Sequence, residues 1–295
     1  MKKAALIGLL SFICLPIFAV DFRQDIGVYQ SNKIWFGTDL RDFAGPNGLD
    51  TSASDGTVDT VYTKSTFGFA VSEKTHMSVH LEYVQSTMNG FSAGGAAADD
   101  VQSGLSEVGF DFTTNLATTG HWSWDLFYGA GAPGSPYNPF QFNAIGSGSA
   151  HYDLGFTASY SSYSLVGFSG SIGYVHRPGH VDIVEGGELS SLSIPDRIVV
   201  DLSVPLYFGT HILAFGASHS ESLSGIDIGD ADWAAFTGVA GQPPFPATRE
   251  NVTTANFSWA YAMNNCMIDI GISRQISGRN TDQGIGFNFG YSRSY

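Results

Sequence analysis

The chain has 295 residues, of which 43% are hydrophobic and 14% are charged, and its formal net charge is −14. Soluble domains carry roughly 25% charged residues, so this chain is too poor in charge for an ordinary soluble protein. After residue 20 it contains no apolar run of helix length, which excludes a helical membrane protein. Its acidity also argues against nucleic acid as a partner. The class that fits is a closed transmembrane β-barrel, apolar outside and polar inside.

The first segment resembles a bacterial secretory signal peptide. Two lysines precede an apolar run over 4–17, and Ala19 ends a stretch that resembles a signal-peptidase site. We therefore expect residues 1–19 to be removed and residues 20–295 to form a single outer-membrane barrel domain. An N-terminal anchor helix is the alternative, but the apolar run is short and Pro16 interrupts it.

Alternation of apolar and polar side chains predicts strands along the rest of the chain, since a helix would need apolar spacings of three and four. The predicted strands lie near 23–37, 58–71, 76–88, 102–114, 121–131, 148–160, 163–176, 196–208, 211–222, 250–263, 266–276 and 282–295. Their connections alternate between short turns and long loops, the long ones being 38–57, 89–101, 132–147, 177–195, 223–249 and 277–281. This rhythm predicts an all-β, antiparallel, up-and-down transmembrane barrel of about twelve strands, with ten or fourteen as alternatives.

The chain ends on an alternating strand, GIGFNFGYSRSY, whose last side chain is aromatic. Asn288, Gly290 and Tyr295 match the polar, glycine and terminal-aromatic positions of the signal that bacterial outer-membrane barrels present to their assembly machinery. Arg293 departs from that signal, in which an apolar residue is usual. An edge strand of a soluble β-sandwich would explain the alternation but not the loop rhythm. We therefore expect a location in the outer membrane of a Gram-negative-type bacterium, with its lipid, lipopolysaccharide and assembly machinery as partners.

If the apolar side chains face lipid, their polar neighbours face the lumen. Seven carboxylates occupy such positions and are candidate selectivity residues: Glu82, Glu107, Asp111, Asp125, Asp153, Asp201 and Asp269. Lys64 is the plainest basic candidate. A belt of carboxylates in a narrow pore attracts cations and repels anions. The alternative is structural filling, in which these acids hydrogen-bond to luminal partners such as His80, His151 and His219. Twelve strands lie between the filled eight-stranded barrel and the wide sixteen-stranded one.

Two proline-rich loops carry candidate constriction residues. Their aromatic side chains are Tyr137, Phe140, Phe142 and Phe245. Because proline fixes φ, such a loop is stiff. It could fold into the mouth as a constriction or an apolar capture site, or it could pack on the rim.

No credible catalytic or metal constellation is present, so we expect no catalytic residues, no metal and no cofactor. The run 219–221 (His-Ser-Glu) is the most suggestive of a hydrolase, but adjacent strand residues point to opposite faces. His76, His80 and Glu82 can share one luminal face, which is compatible with a metal pair. Motifs of the G-x-S-x-G, H-E-x-x-H and phosphate-loop types are absent. The mature chain keeps one cysteine, Cys266, which gives neither an internal disulfide nor a zinc motif.

One stretch near the centre resembles a known family. Residues 145–175 include IGSG, YDLGF, ASY and GSIGYV in that order. This pattern is similar to the hairpin, following a proline-bearing loop, of the outer-membrane transporters associated with phenol meta-pathway degradation. The resemblance implies a small barrel that passes substrates, often aromatic compounds, and it carries over no catalytic residues.

We expect a channel or transporter for passive uptake of small solutes, either cation-preferring or passing small aromatic or apolar compounds. The alternatives are a barrel hydrolase of the lipase or protease type and a surface adhesin or structural barrel.

Overall fold

The computed structural model describes residues 21–36, 41–42, 49–50, 57–89, 100–137, 144–146, 148–161, 165–185, 188–227 and 245–295. The predicted signal peptide lies outside these residues. Within the described ranges, no helix is long and apolar enough to cross a membrane.

Twelve antiparallel strands close into a barrel. They are β1 (Asp21–Phe36), β2 (Thr57–Ala70), β3 (Thr75–Asn89), β4 (Val101–Thr119), β5 (Trp122–Ala132), β6 (His151–Ser161), β7 (Gly167–His176), β8 (Arg197–Phe208), β9 (His211–Ser222), β10 (Asn251–Met263), β11 (Cys266–Arg279) and β12 (Thr281–Ser294). Each strand pairs with its neighbours in the chain, and β12 returns to pair with β1 from Asp21↔Ser294 to Trp35↔Thr281. The predicted all-β up-and-down barrel of about twelve strands is confirmed.

The outer face of the barrel is apolar. On β6 and β7 the side chains of Leu154, Phe156 and Ile172 are 53%, 55% and 54% exposed, and they point away from the lumen. Because successive side chains of a strand alternate between the two faces, the same strands present Gly155 and Gly173 to the interior. An apolar band that runs around a closed barrel matches the hydrocarbon layer of a bilayer.

Tight turns join the strands at the end of the barrel that also holds the termini. Gly120, Gly209 and Asn264 adopt left-handed backbone with φ of 62°, 63° and 27°, which glycine and asparagine tolerate best. The predicted turn over 115–120 was too long. β4 continues to Thr119, which pairs with Trp122, because a bulge near Asn115 keeps the two strands in register.

The prediction of a long loop over 277–281 is wrong. Only Asn280, with φ of 49°, separates β11 from β12. A residue of another loop stabilises this turn, since Arg279 Nε and Asn280 Nδ2 donate to Asp227 Oδ1 at 2.7 and 2.8 Å. Asp227 and Arg279 are both buried, so this ion pair holds residue 227, at the start of the fifth long loop, against the barrel.

The predicted loop over 177–195 contains an additional hairpin. His180–Glu185 pairs with Glu188–Ser193, and its base packs Val181 and Ile194 against Ala247 of a short 3₁₀ helix, Phe245–Ala247. This small apolar cluster lies beyond the ends of β7 to β10, opposite the termini. Two-residue strands at Arg41–Asp42 and Leu49–Asp50 add to β11 and β1 at the same end.

Candidate functional site

All seven predicted carboxylates lie on the luminal face. They come from six strands, because Glu107 and Asp111 share β4. Cross-strand pairing fixes the assignment, since Glu82 pairs with both Lys64 and Glu107, while the outward Phe110 and Phe112 alternate with Asp111. The role of the seven residues in selectivity stays a prediction, but their shared face is a feature of the fold.

A histidine joins two of these acids. His80 Nε2 lies 2.7 Å from Glu107 Oε1, and its Nδ1 lies 3.1 Å from Asp111 Oδ2. Both ring nitrogens therefore face carboxylates, an arrangement that is satisfied when both carry a proton and donate. His80 is buried at 5% exposure, whereas the Asp111 side chain keeps 40%. Glycine at 109 makes this possible, because a Cβ there would lie 2.4 Å from the His80 ring.

Neighbouring strands repeat the pattern more loosely. His151 Nε2 lies 3.4 Å from Asp153 Oδ2, and its Nδ1 lies 3.9 Å from Glu107 Oε2. On β5, nearer the end of the barrel that holds the termini, Asp125 accepts a hydrogen bond from Asn115 Nδ2 at 2.7 Å. The predicted structural role, in which luminal acids bind His80 and His151, therefore holds for part of the belt.

Sequence reasoning missed Arg23 on the first strand. Its guanidinium points into the lumen and bonds Asp25 at 2.6 and 2.9 Å and Asp269 at 3.1 Å. Asp269 is thus an ion-pair partner of Arg23, which agrees with the structural alternative for this member of the belt. Gly290 has a packing reason to be glycine, because a Cβ there would lie 2.5 Å from the Asp269 carboxylate and 2.7 Å from the guanidinium.

Three of the luminal acids surround an aromatic ring. A cavity of about 220 Å³ in the lumen is lined by Asp111, Asp153 and Asp201, together with Phe127 and Val199. The Phe127 ring lies over β6 and β7, which present glycine to it there. Asp201 is exposed and accepts a hydrogen bond from a serine on β7 at 3.1 Å. No basic side chain is among the described residues that line this cavity.

Beside this cavity, over β8 to β10, the lumen is lined by small side chains. We name this surface the small-residue wall; it consists of Ser203 on β8, Ala214, Gly216 and Ser218 on β9, and Asn256 and Ser258 on β10. Asn256 is exposed, and its amide oxygen lies over Gly216. Water can therefore reach the wall, whereas the interior near His80 is packed.

The mouth opposite the termini is rich in arginine. Arg197 Nη2 lies 2.5 Å from Glu250 Oε2. Arg177 is buried at 6% exposure, and burial together with the nearby Arg197 lowers its pKa to about 10, so it stays charged at neutral pH. Tyr137, predicted as a constriction residue, is half-buried and accepts a hydrogen bond from Gly148 N at 2.7 Å, so it packs within its own loop. Of the other candidates, Phe140 and Phe142 lie outside the described residues, as does the Phe245 side chain.

The structure separates the residues of the suspected hydrolase cluster. His219, expected as a luminal side chain, points outward because it pairs with the outward Val200 and Thr253, and its Nδ1 lies 2.9 Å from Thr253 Oγ1. Ser220 faces the other side of the sheet. Within the described ranges, no group of three or more His, Cys, Asp or Glu side chains is arranged to hold a metal ion.

No protein-family model and no curated protein matches this chain. Solved structures do match over nearly the whole length. An outer-membrane channel from Pseudomonas putida F1 has a TM-score of 0.64 at 12% identity, covering 96% of this chain and 100% of that one. The NanC porin gives 0.52 at 10% identity, covering 92% and 100%. The transport unit of the autotransporter AIDA-I from Escherichia coli gives 0.51 at 9% identity, covering 100% and 98%.

These likenesses show the fold, which is that of a bacterial outer-membrane β-barrel. They are consistent with the resemblance to a family of outer-membrane transporters that the central hairpin suggested.

Proposed function

We propose that the chain is a channel of the Gram-negative outer membrane that lets small solutes pass passively and prefers cations. The observation that carries the proposal is the luminal cavity around Phe127. Three carboxylates from three strands line it, and Asp201 is exposed to water there. The small-residue wall leaves room beside these acids, so a hydrated ion has a polar path.

The electrostatic reason is confinement. Charges inside a narrow, low-dielectric wall interact more strongly than the same charges on an open surface. The luminal carboxylates outnumber the luminal cations Arg23, Lys64 and doubly protonated His80, although Arg23 and His80 each already hold two acids. The remaining negative potential should raise the local concentration of cations and lower that of anions.

A second solute class is favoured by Phe127 itself. An aromatic ring beside Val199 offers an apolar contact within an acidic cavity. Small aromatic compounds, the class implied by the central hairpin, would contact this ring and the small-residue wall. Swelling of proteoliposomes in a neutral aromatic solute tests this class, because cation selectivity alone would not speed its entry.

We also propose that the chain is not an enzyme. The residues that most resemble a hydrolase cluster lie on opposite faces of β9, with His219 outward and Ser220 inward. Hydrolysis of phospholipid or peptide by purified protein, with activity lost in His80→Ala, would overturn this part. Loop-dependent binding of a surface partner by a barrel without conductance would instead favour an adhesin.

The C-terminal strand is proposed to engage the assembly machinery. Asn288 and Gly290 face the lumen, and Tyr295 is 55% exposed just after the periplasmic end of the strand. The unusual Arg293 lies 4.8 Å from the Tyr295 ring centre, so it covers the aromatic side chain rather than replacing its role. Deleting Tyr295 should slow assembly in cells while leaving refolding of purified protein into detergent nearly unchanged.

Planar-bilayer recording tests the channel. We expect discrete openings whose reversal potential under a salt gradient has the sign of cation preference. The preference should weaken in Asp153→Asn combined with Asp201→Asn, and should weaken less in Asp125→Asn, because Asp125 lies outside the cavity. Openings without ion selectivity would contradict the role of these acids as a selectivity filter. No openings from folded protein, identified by heat-modifiable gel migration, would contradict the channel.

A further inference from the structure

A groove on the outside of the barrel has no part in the luminal pathway. Its volume is about 710 Å³, and it crosses β2, β1, β12 and β11. Its floor is apolar and faces outward: Val28, Ile285 and Phe287 are 46%, 41% and 54% exposed, and Val61 pairs with Val28 beside them. The floor is therefore part of the band that contacts membrane lipid.

The rim of the groove is polar. Gln30 Nε2 donates to Asp59 Oδ1 at 3.0 Å, and Asn89 Nδ2 donates to Asp59 Oδ2 at 2.9 Å. These three side chains form a row across β1, β2 and β3. The row lies where the strands approach the long loops, on the side away from the termini. In an outer-membrane barrel that side faces the outer leaflet.

Arg274 supplies the charge. It lies on the outer face of β11, opposite Ile285 of β12, and it is exposed. In the part of the chain that the structure describes, Arg274 makes no hydrogen bond or ion pair, whereas Arg23, Arg197 and Arg279 each hold a carboxylate. An arginine on the lipid-facing surface is costly unless it meets a charged headgroup.

We propose that this groove is a binding site for the phosphorylated, acylated glycolipid of the outer leaflet, the lipid A part of lipopolysaccharide. Arg274 binds a phosphate, for which guanidinium geometry is well suited. The Asp59 carboxylate and the Gln30 side-chain oxygen accept hydrogen bonds from sugar hydroxyls, and the acyl chains lie on Val28 and Phe287. Asp59 would repel a phosphate, so the rim orients the headgroup with its phosphate towards Arg274. This site is independent of the transport function.

Native mass spectrometry of the detergent-purified mature chain tests the proposal. The probes are purified lipid A, dephosphorylated lipid A and phosphatidylethanolamine, each titrated against wild type, Arg274→Gln and Arg293→Gln. Arg293 is the matched control, because it is also an outward arginine but lies at the periplasmic end. Heat-modifiable migration confirms that every variant is folded.

We expect lipid A to bind wild type and Arg293→Gln equally, and Arg274→Gln roughly tenfold more weakly, which is the loss of one charge-assisted contact. Dephosphorylated lipid A should bind all three proteins as weakly as Arg274→Gln binds lipid A. Equal lipid A binding by the two variants would overturn the site. Equal binding of the phosphorylated and dephosphorylated lipids, or tighter binding of phosphatidylethanolamine, would overturn it as well.

Discussion

Replacing Arg23 by glutamine should destabilise the barrel and strengthen its cation preference at the same time. The guanidinium makes four contacts of 2.6 to 3.1 Å to Asp25 and Asp269. Those two carboxylates are only 17% and 11% exposed, whereas the Arg23 side chain is 36% exposed. The substitution therefore leaves two nearly buried negative charges without their cation.

The expected loss of stability lies between two limits. Breaking a buried ion pair costs about 3–5 kcal/mol, and breaking an exposed pair costs under about 1 kcal/mol. Because the Arg23 side chain is about one-third exposed, screening reduces the buried figure, and we expect a loss of about 2 kcal/mol. Adding Asp269→Asn to the variant removes one unpaired charge and should restore part of that loss.

Urea unfolding of the barrel in lipid vesicles, followed by tryptophan fluorescence, measures the free energy of unfolding. Lys64→Gln is the matched control, because it removes a luminal cation that makes no close ion pair among the described residues. Both variants should shift the reversal potential towards cations, but only Arg23→Gln should lose about 2 kcal/mol. Equal stability of Arg23→Gln and wild type, or equal losses in both variants, would refute the ion-pair reasoning.

Three further outcomes follow from single positions. Phe127→Ala removes a ring from the luminal cavity and should raise single-channel conductance, while Phe127→Leu should change it less; an unchanged alanine variant would mean that ions pass elsewhere. Gly155→Ala would place a Cβ 2.3 Å from the Phe127 ring, so we expect less folded protein on heat-modifiable gels and, in the folded fraction, altered conductance. Burial raises the pKa of Asp196, but hydrogen bonds from Tyr174 and His176 outweigh it and hold that pKa below the usual range. A depressed folded pKa stabilises the protein above the unfolded value of about 4, and that contribution is lost as the pH falls through the folded pKa. Asp196→Asn should therefore lower the melting temperature at pH 7 but not at pH 2, and an equal drop at both would contradict the assignment.

The sequence was sufficient to predict the strands, because each strand must present apolar side chains to the surrounding lipid. Every second side chain must be apolar, so segments such as β6 and β8 show the period directly. The sequence was not sufficient to predict which side chains of β9 face the lumen. There Ala214, Gly216, Ala217 and Ser218 are small on both sides, so alternation has no contrast, and only the pairing of His219 with Val200 fixes the outward direction.

Contacts between distant segments explain the other differences. The turn at Asn280 depends on Asp227, which approaches from a loop 53 residues away in the chain. Likewise, nothing near Arg23 in the sequence identifies Asp269 as its partner, because the pair forms only when the first strand meets the last ones. Periodicity therefore identified the belt of luminal acids but could not show which of them are neutralised.

Thiol modification at Asn256 tests most directly whether solutes cross the lumen along the small-residue wall. In a Cys266→Ser background, Asn256→Cys places a thiol on the wall, and Phe257→Cys places one on the lipid-facing side of the same strand. A cationic methanethiosulfonate should reduce the current through the Asn256→Cys channel, act faster than an anionic reagent, and leave the Phe257→Cys channel unchanged. Current that is insensitive to both reagents, in protein shown by mass to be modified at residue 256, would contradict a pathway along this wall, and faster reaction of the anionic reagent would contradict cation preference.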